Sequence, residues 1–272
     1  MENLDRLGWA ADLRVRAYGL PIGIRTDEPQ LLADLARRLP PGSVPAAIRR
    51  VERLYSVVGG GSASGRGLRR FNVVYANSVR VARSLGREEA LSALETDLEL
   101  YVAAHAPRRL FVHAGVVGWR GRAIVIPGRS MSGKSTLVAA LVAAGATYYS
   151  DEFAVLDPHG RVHAYPRPLR LRDGVPPEAA AARSAPLPLP VGMVVVTRYR
   201  TGARWRPRRL SAGQAGIALL EHAVGARVRP AEALAIVPRA VAVASAIEGA
   251  RGEAADVARA LLDATDGARR PA

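Results

Sequence analysis

The amino-acid sequence predicts an α/β fold preceded by a small α+β domain. In the middle of the chain, the apolar run 123–126 is followed by a glycine-rich loop, an apolar helix-like segment and a second strand-like run. That order is the opening unit of an α/β domain. The first hundred residues instead carry short alternating segments separated by turn signals, which are typical of a separate α+β unit. We therefore expect an accessory domain over residues 1–106 and an α/β domain over residues 107–272.

Periodicity and turn residues place the elements of the first domain. They predict two paired strands in 12–27, a helix in 28–39, a glycine- and serine-rich loop in 59–67, a hairpin turning at Asn77-Ser78 and a long helix in 87–106. The long helix is expected to join the two domains.

The same signals place the elements of the second domain. They predict two strands around a turn at 118–121, a helix in 135–146, one strand in 147–157, an irregular stretch in 174–190, strands in 191–199 and 203–210, a helix in 211–226, a strand in 239–247 and a helix in 252–265. Ser211 fits a helix N-cap. The likeness of its surroundings to the LSGGQ signature of ABC transporter ATPases is discarded, because no acid follows in the next hydrophobic segment.

Lys134 is the single lysine among 39 basic residues, and the chain has no cysteine. Any lysine-dependent chemistry must therefore use Lys134. Its setting, GRSMSGKST, excludes the V-A-I-K strand of a eukaryotic-type protein kinase. Without cysteine, zinc–thiolate sites, iron–sulfur clusters, thiol catalysis and disulfides are excluded as well.

The formal net charge of +15 raises the question of a nucleic-acid partner. The arginines are spread over nearly every segment with few aromatic residues among them, so we expect no nucleic-acid function, whereas an acidic or phosphorylated partner suits the charge. The longest apolar runs are far shorter than the roughly 20 residues of a membrane span, and the N-terminus lacks the apolar core of a signal peptide. We expect a cytoplasmic protein with no membrane partner; homo-oligomerisation stays open.

The segment from Gly128 to Ser135 matches the phosphate-binding pattern G-x-x-x-x-G-K-[ST], with a strand before it and a helix after it. The glycines let backbone N–H groups turn toward phosphate oxygens, and the start of the helix adds its positive dipole end. Lys134 is expected to reach the β- and γ-phosphates of ATP, and the Ser135 hydroxyl to ligate Mg²⁺. The expected nucleotide-binding residues are Gly128, Arg129, Ser130, Met131, Ser132, Gly133, Lys134, Ser135 and Thr136.

Asp151 and Glu152 form an acidic pair in the strand-like run after the predicted helix. If that helix returns the chain to the sheet, the pair lies on the neighbouring strand, near the loop end where ligands of open α/β sheets bind. One carboxylate is then placed to hold Mg²⁺ through Ser135 and water, and the other to take a proton from an attacking hydroxyl. The alternative is a solvated acidic pair at the end of a strand.

The stretch VHAGVV, followed by IVIPGRSMSGKSTLVAALVAAGATYYSDEFAVLD, resembles the catalytic core of the HPr serine kinase/phosphorylase family over roughly residues 110–172. The resemblance implies a P-loop kinase core of the HPr kinase and phosphoenolpyruvate carboxykinase type. It also implies that Asp151 is the base toward a protein serine, that His113 lies near it, and that Glu152 and Ser135 hold the metal. From the residues alone, a core histidine of an apolar strand is the commoner outcome for His113, and only the resemblance brings a role in the site level with it.

Three positions depart from the family pattern. Thr136 stands where the family has Glu, Glu152 replaces the second Asp of the acidic pair, and Ala114 replaces the Gly after the histidine. The later signature loop of the family is not found, which argues against a reverse, phosphorolytic activity. The N-terminal hundred residues are more similar to the divergent kinase-like proteins of peptide natural-product clusters, lasso peptides included, which implies phosphorylation of a precursor peptide.

Arg170 and Arg172 alternate on one strand face after the acidic pair, where they either clamp substrate or phosphate or are solvated. The sequence thus predicts an ATP- and Mg²⁺-dependent kinase that transfers the γ-phosphate to a hydroxyl, with a serine of a peptide or small protein as acceptor. Recognition of that acceptor is one role open to the accessory domain. A small-molecule kinase, for instance of a free amino acid, and a nucleotide-binding regulatory module without transfer activity stay as alternatives.

Overall fold

The structure is a computed structural model that describes residues 4–61, 70–129, 132–169 and 187–267. The chain divides into two compact units, Met1–Pro107 and Arg108–Ala272. Each unit has its own sheet.

The first unit is built on a six-stranded sheet with the order β3-β1-β2-β4-β5-β6. Its strands are β1 (Ala11–Ala17), β2 (Leu20–Thr26), β3 (Val44–Pro45), β4 (Arg53–Val58), β5 (Asn72–Ala76) and β6 (Val79–Ser84), and its helices are α1 (Leu32–Arg37) and α2 (Arg87–His105), with 3-10 turns at Leu4–Arg6 and Pro29–Leu31. The predicted strand pair, the hairpin at Asn77-Ser78 and the long helix are confirmed.

The core of the first unit lies beneath α2. Leu91, Leu94, Leu98 and Val102 recur at helical spacing and are buried, because residues three and four apart share one face of a helix. That helix contacts β5 and β6. On the central strands the buried side chains include Ile22, Ile24, Tyr55, Val57 and Val74.

The second unit is a mixed α/β structure. Its strands are β7 (Leu110–Trp119), β8 (Arg122–Pro127), β9 (Thr147–Ser150), β10 (Phe153–Leu156), β11 (Arg161–His163), β12 (Leu189–Tyr199), β13 (Arg208–Arg209) and β14 (Ser245–Arg251). Its helices are α3 (Lys134–Ala143), α4 (Ala212–Leu220), α5 (Pro230–Val241) and α6 (Ala254–Gly267). The sheet order is β11-β10-β7-β8-β12-β14-β13, and β9 also pairs with β7.

Strand direction in this sheet separates β7 from its neighbours. β8, β12 and β14 run parallel to one another, whereas β7 is antiparallel to β8 on one side and to β9 and β10 on the other. Because β8, β12 and β14 point the same way, their carboxyl ends meet at one edge, which is where open α/β sheets bind ligands.

Helices cover both faces of this sheet. Ile124 and Ile126 of β8 pack in a core with α3 and α6, while Val125 packs in a second core with α4 and α5. This division follows from the alternation of side chains along a strand. The helix that follows the glycine-rich loop, α3, is therefore packed against β8 and α6.

Three predictions for the second unit need correction. The strand predicted in 147–157 is two strands, because the chain turns at Asp151 and Glu152. The strand predicted in 239–247 begins only at Ser245, since the residues before it end α5, whose buried residues follow helical rather than alternating spacing. The strand predicted in 203–210 is reduced to Arg208–Arg209.

Other predictions for the second unit are confirmed. The hairpin β7–β8 turns at Arg120 and Gly121, both with positive φ, and α6 lies within the predicted final helix apart from its last turn. Ser211 caps α4: its Oγ accepts the N–H of Gln214, whose side chain accepts the N–H of Ser211 in return. Most of the loop predicted in 59–67 and of the irregular stretch in 174–190 lies outside the described residues. No helix in the described part of the chain is long and apolar enough to cross a membrane.

Candidate phosphate-binding site

The glycine-rich loop, residues 128–133, connects the end of β8 to the start of α3. Its first residue is fixed to the sheet, because the Gly128 N–H donates to the carbonyl of His113 at 3.1 Å. Its last residue, Gly133, is the N-cap of α3 and has φ of +84°, a left-handed conformation that glycine adopts without strain. The chain therefore enters α3 directly from the loop, and the N–H groups of the first helical turn point out of the N-terminal end of the helix.

A side chain at the first glycine of the loop would displace the Ser132 hydroxyl. A Cβ at Gly128 would lie 2.9 Å from the Ser132 Oγ and 3.6 Å from the Lys134 Cδ. Backbone N–H groups and an ammonium that face one small volume can bind phosphate.

Lys134 folds over this loop. Its ammonium donates to the Arg129 carbonyl at 2.7 Å, and the side chain is half-buried. Burial lowers the pKa of Lys134, and the negative charges of Glu152 and Asp151, which act in the opposite direction, do not fully offset that effect. An ammonium has three donors, so Lys134 can bind the loop and an anion together.

The remaining residues expected in the loop differ in exposure. Ser135, the second residue of α3, is half-buried, whereas Thr136 and Arg129 are exposed. Ser130 and Met131 lie outside the described residues, as do Arg170 and Arg172.

The acidic pair sits in a sharp turn between β9 and β10. The Ser150 Oγ accepts the N–H of Glu152 at 3.1 Å and the N–H of Phe153 at 3.0 Å. Such a side-chain bond to the backbone stabilises a turn and interrupts the strand. Asp151 is half-buried and Glu152 exposed, so the turn presents both carboxylates at the edge of the sheet.

One strand, β7, joins the acidic pair to the glycine-rich loop. The carbonyl of His113 accepts the Gly128 N–H, while the N–H of the next residue, Ala114, donates to the Glu152 carbonyl at 3.1 Å. The expectation that the acids lie on the strand next to β8 is therefore corrected, because β7 pairs between them. Two spacings between strands place the two backbones about 10 Å apart, a distance that the side chains can bridge.

Tyr148 orients one of the acids. Its hydroxyl donates to the Asp151 Oδ1, at 2.9 Å, and lies 2.8 Å from the Arg167 carbonyl, so one proton is shared between two acceptors. Burial first, and then the charge of Asp151, raise the pKa of Tyr148 well above its usual value. The phenol therefore stays protonated and acts as a fixed donor to the carboxylate. Sequence reasoning missed Tyr148, although its spacing of three residues from Asp151 was visible.

His113 lies between the two parts of the site. Its ring is tilted against that of Phe153 with centroids 4.6 Å apart, and the residue is half-buried. Burial lowers the pKa of His113, as do the charges of Lys134 and His222, against a hydrogen bond with the backbone of Glu152. His113 thus packs within the strand and also lies close to the charged groups of the site.

A further residue at this edge was not found from the sequence. Arg251, the last residue of β14, donates from its Nη2 to the Gly133 carbonyl at 2.7 Å. The two residues are 118 positions apart, and no local pattern connects them. Among the described residues, no group of three or more His, Asp or Glu side chains is arranged to hold a metal ion.

Neither the models of known protein families nor the curated proteins give a match to the chain. Function is therefore inferred from the residues of the site. A backbone cradle with a lysine can bind phosphate, and a carboxylate one strand away can receive a proton.

Proposed function

We propose that the chain is an ATP- and Mg²⁺-dependent kinase that transfers the γ-phosphate to a hydroxyl group, with a serine of a peptide or small protein as acceptor. One observation carries the proposal: adjacent residues of β7, His113 and Ala114, bind the glycine-rich loop on one side and the acidic pair on the other. Phosphate binding and proton removal are thereby assigned to two sides of the same strand, as a phosphoryl transfer requires.

Lys134 and the backbone of the loop bind the donor in this proposal. The ammonium neutralises charge on the β- and γ-phosphates, and the N–H groups at the start of α3 hold phosphate oxygens. A compact ammonium suits this position better than a guanidinium, which is a planar fork of five donors. This difference accounts for a lysine at one position in a chain that otherwise uses arginine.

Ser135 and Glu152 have the chemistry to hold Mg²⁺. Magnesium is bound in such sites by one or two protein oxygens together with phosphate oxygens and water, so a hydroxyl and a carboxylate suffice. When bound, the ion neutralises charge on the phosphates.

Asp151 is the proposed base. It takes the proton of the acceptor hydroxyl as the acceptor oxygen bonds to the γ-phosphorus, and the bond from that phosphorus to the β,γ-bridging oxygen breaks to release ADP. The bond from Tyr148 leaves the second oxygen of the Asp151 carboxylate for the proton. His113, which hydrogen-bonds to the backbone of Glu152, is proposed to hold the acidic turn in place.

The acceptor class rests on the resemblance to HPr serine kinases, and the same resemblance supports a P-loop core of that type. Recognition of the acceptor is assigned in this proposal to the first unit, Met1–Pro107, and the cytoplasm, which supplies ATP, is the proposed place of action.

The test is transfer from γ-labelled ATP with Mg²⁺ to serine-containing peptides, each compared with the same peptide carrying alanine. Label on the serine peptides alone supports the proposal. Label on free amino acids instead of peptides would favour the small-molecule kinase, and nucleotide binding without transfer to any acceptor would favour the regulatory module.

A further inference from the structure

Arg251 is a buried cation directly behind the glycine-rich loop. Only 2% of its surface is exposed, and it is the largest of the nearly inaccessible side chains in the described part of the chain. Its Nη2 donates to the Gly133 carbonyl at 2.7 Å and its Nη1 to the Gly252 carbonyl at 3.1 Å. Both partners are neutral carbonyls, so these bonds fix the guanidinium without neutralising its charge.

No carboxylate pairs with Arg251 among the described residues. Its Nε is buried without a hydrogen-bond partner, and the nearby Glu253 instead accepts a hydrogen bond from the Tyr199 hydroxyl at 3.1 Å. Burial lowers the pKa of Arg251 more than the charges of Glu253 and Tyr199 raise it. A buried charge that forms no ion pair destabilises a folded protein, and Glu253 offsets the burial of Arg251 only in part, so a residue of this kind calls for a compensating role.

The position of Arg251 suggests what compensates its charge. A Cβ at Gly133 would lie only 2.5 Å from the Arg251 Nη2, and Gly133 is the residue immediately before Lys134 and the first turn of α3. The guanidinium therefore lies behind the helix N-terminus, where its charge adds to the positive end of the helix dipole. In a water-poor setting such a charge acts over a longer distance than it does at the surface.

We propose that Arg251 is the buried counter-charge for the polyphosphate bound at the glycine-rich loop, and that the ligand-free protein is less stable because of it. The inference rests on the phosphate site proposed above and adds a residue that acts through Gly133 and through its field, without touching the phosphates. Arg251 is in this sense a positioning residue. Its charge, rather than its hydrogen bonds, is the property that matters.

Three variants separate charge from hydrogen bonding. Arg251→Gln removes the charge and leaves a shorter side-chain donor, Arg251→Lys keeps the charge, and Arg239→Gln removes one positive charge elsewhere. Arg239 donates to the Pro158 carbonyl at 2.7 Å, beyond the end of β10 that is remote from the acidic pair. The Gly133 carbonyl keeps one partner in every variant, because it also accepts the N–H of Leu137.

Binding of Mg·ATP and of inorganic tripolyphosphate is measured by calorimetry, and the midpoint of thermal unfolding is measured without and with each ligand. For Arg251→Gln we expect at least a tenfold weaker affinity for both ligands, an unfolding midpoint without ligand equal to or above that of the wild type, and a smaller rise on adding ligand. Arg251→Lys and Arg239→Gln should bind within a few-fold of the wild type.

Two results would overturn the inference. If Arg251→Gln lowers the unfolding midpoint and leaves both affinities unchanged, Arg251 is only a structural residue. If Arg251→Lys loses tenfold or more in affinity, hydrogen-bond geometry and not charge is responsible, and this outcome can be read even should the glutamine variant fail to fold. A wild-type protein that binds neither ligand removes the phosphate site itself, whereas binding that is insensitive to Arg251 removes this inference alone.

Discussion

Two partly buried arginines of the first unit differ in their partners from the two cations beside the glycine-rich loop. In the first unit, Arg38 pairs with Glu95 at 3.0 Å and with Glu88 at 2.7 Å, and Arg53 pairs with Asp97 at 2.8 Å. In the second unit, neither Arg251 nor Lys134 forms an ion pair with any described residue. Arg38 and Arg53 therefore have acids in ion-pair contact, and Arg251 and Lys134 do not.

The pKa values move in opposite directions for the same reason. Burial alone lowers the pKa of an arginine, but hydrogen bonds and charges from Glu88 and Glu95 outweigh it at Arg38, and those from Asp97 and Tyr55 outweigh it at Arg53. At Lys134 and Arg251 burial prevails and the pKa is lowered. Arg38 and Arg53 thus hold the first unit together through acids, whereas Lys134 and Arg251 leave positive charge beside the glycine-rich loop.

The largest effect is expected from Asp151→Asn, which removes the proposed base. Loss of a positioned general base slows a reaction by about 10²–10⁴-fold, so we expect a fall of that size in the transfer rate with Mg·ATP affinity near that of the wild type. Tyr148→Phe, which removes the hydroxyl that bonds Asp151 and the Arg167 carbonyl, should have a smaller effect. Transfer that survives Asp151→Asn at the wild-type rate would remove Asp151 from the mechanism.

The next largest effect is expected from Lys134→Arg. We expect a loss of about 10²–10³-fold in the transfer rate, as for the removal of one donor to a developing charge. The charge is kept, but the guanidinium is larger and differently shaped than the ammonium. Arg38→Lys makes the reverse exchange in the first unit and should leave the rate near that of the wild type. Equal effects of the two exchanges on the rate would contradict the distinction between the units.

Gly115→Ala tests the packing behind the loop. The new Cβ would lie 2.6 Å from the Val138 Cγ2 of α3, and overpacking of this kind destabilises by about 1–3 kcal/mol. Gly23→Ala is the matched change in the first unit. There the nearest atom would be the Leu54 Cδ1 at 3.1 Å, at the end of a side chain that can move, so we expect a smaller loss in urea denaturation.

Asp97→Asn removes the acid partner of Arg53. A buried donor left without its charged partner costs about 1–3 kcal/mol, and we expect about 1 kcal/mol here, the low end of that range, because the Asp97 side chain is 31% exposed. The free energy of unfolding from urea titration measures this loss. A stability equal to the wild type would show that the ion pair of Arg53 does not hold the first unit.

The smallest expected effect is a pH dependence at His113. Its pKa in the folded state is lowered below the usual 6.5, so in the window below pH 6.5 the unfolded chain binds more protons than the folded one, and stability falls as the pH falls. His113→Gln should flatten this part of the pH profile of the unfolding free energy. His222, whose pKa is also lowered by burial, should keep part of the slope; a profile as steep as that of the wild type would contradict the account.

Local features of this fold were predictable from the sequence. The β7–β8 hairpin has its glycine turn, α3 follows a complete phosphate-binding pattern, and the capping box of Ser211 and Gln214 spans four residues. Each of these depends on neighbours along the chain, where pattern and turn chemistry decide the structure.

Features set by distant contacts were not predictable. The insertion of β7 between β8 and β9 depends on pairing across the sheet, and the break of the strand at Asp151 depends on the Ser150 hydroxyl bonding two N–H groups. Pro238 lies inside α5. Because proline is unusual inside a helix, the residues after it were predicted as a strand. The contact of Arg251 with Gly133 joins the end of one strand to the start of a helix far earlier in the chain.

Calorimetric titration of Mg·ATP into the wild-type protein and into Lys134→Ala is the most direct test of whether the glycine-rich loop binds nucleotide, because it needs no acceptor. We expect one saturable site in the wild type and at least a tenfold loss of affinity in the variant, with an unchanged unfolding midpoint to show that the fold is intact. A wild-type protein that binds no nucleotide, or equal affinities in the two proteins, would contradict a phosphate site at the glycine-rich loop.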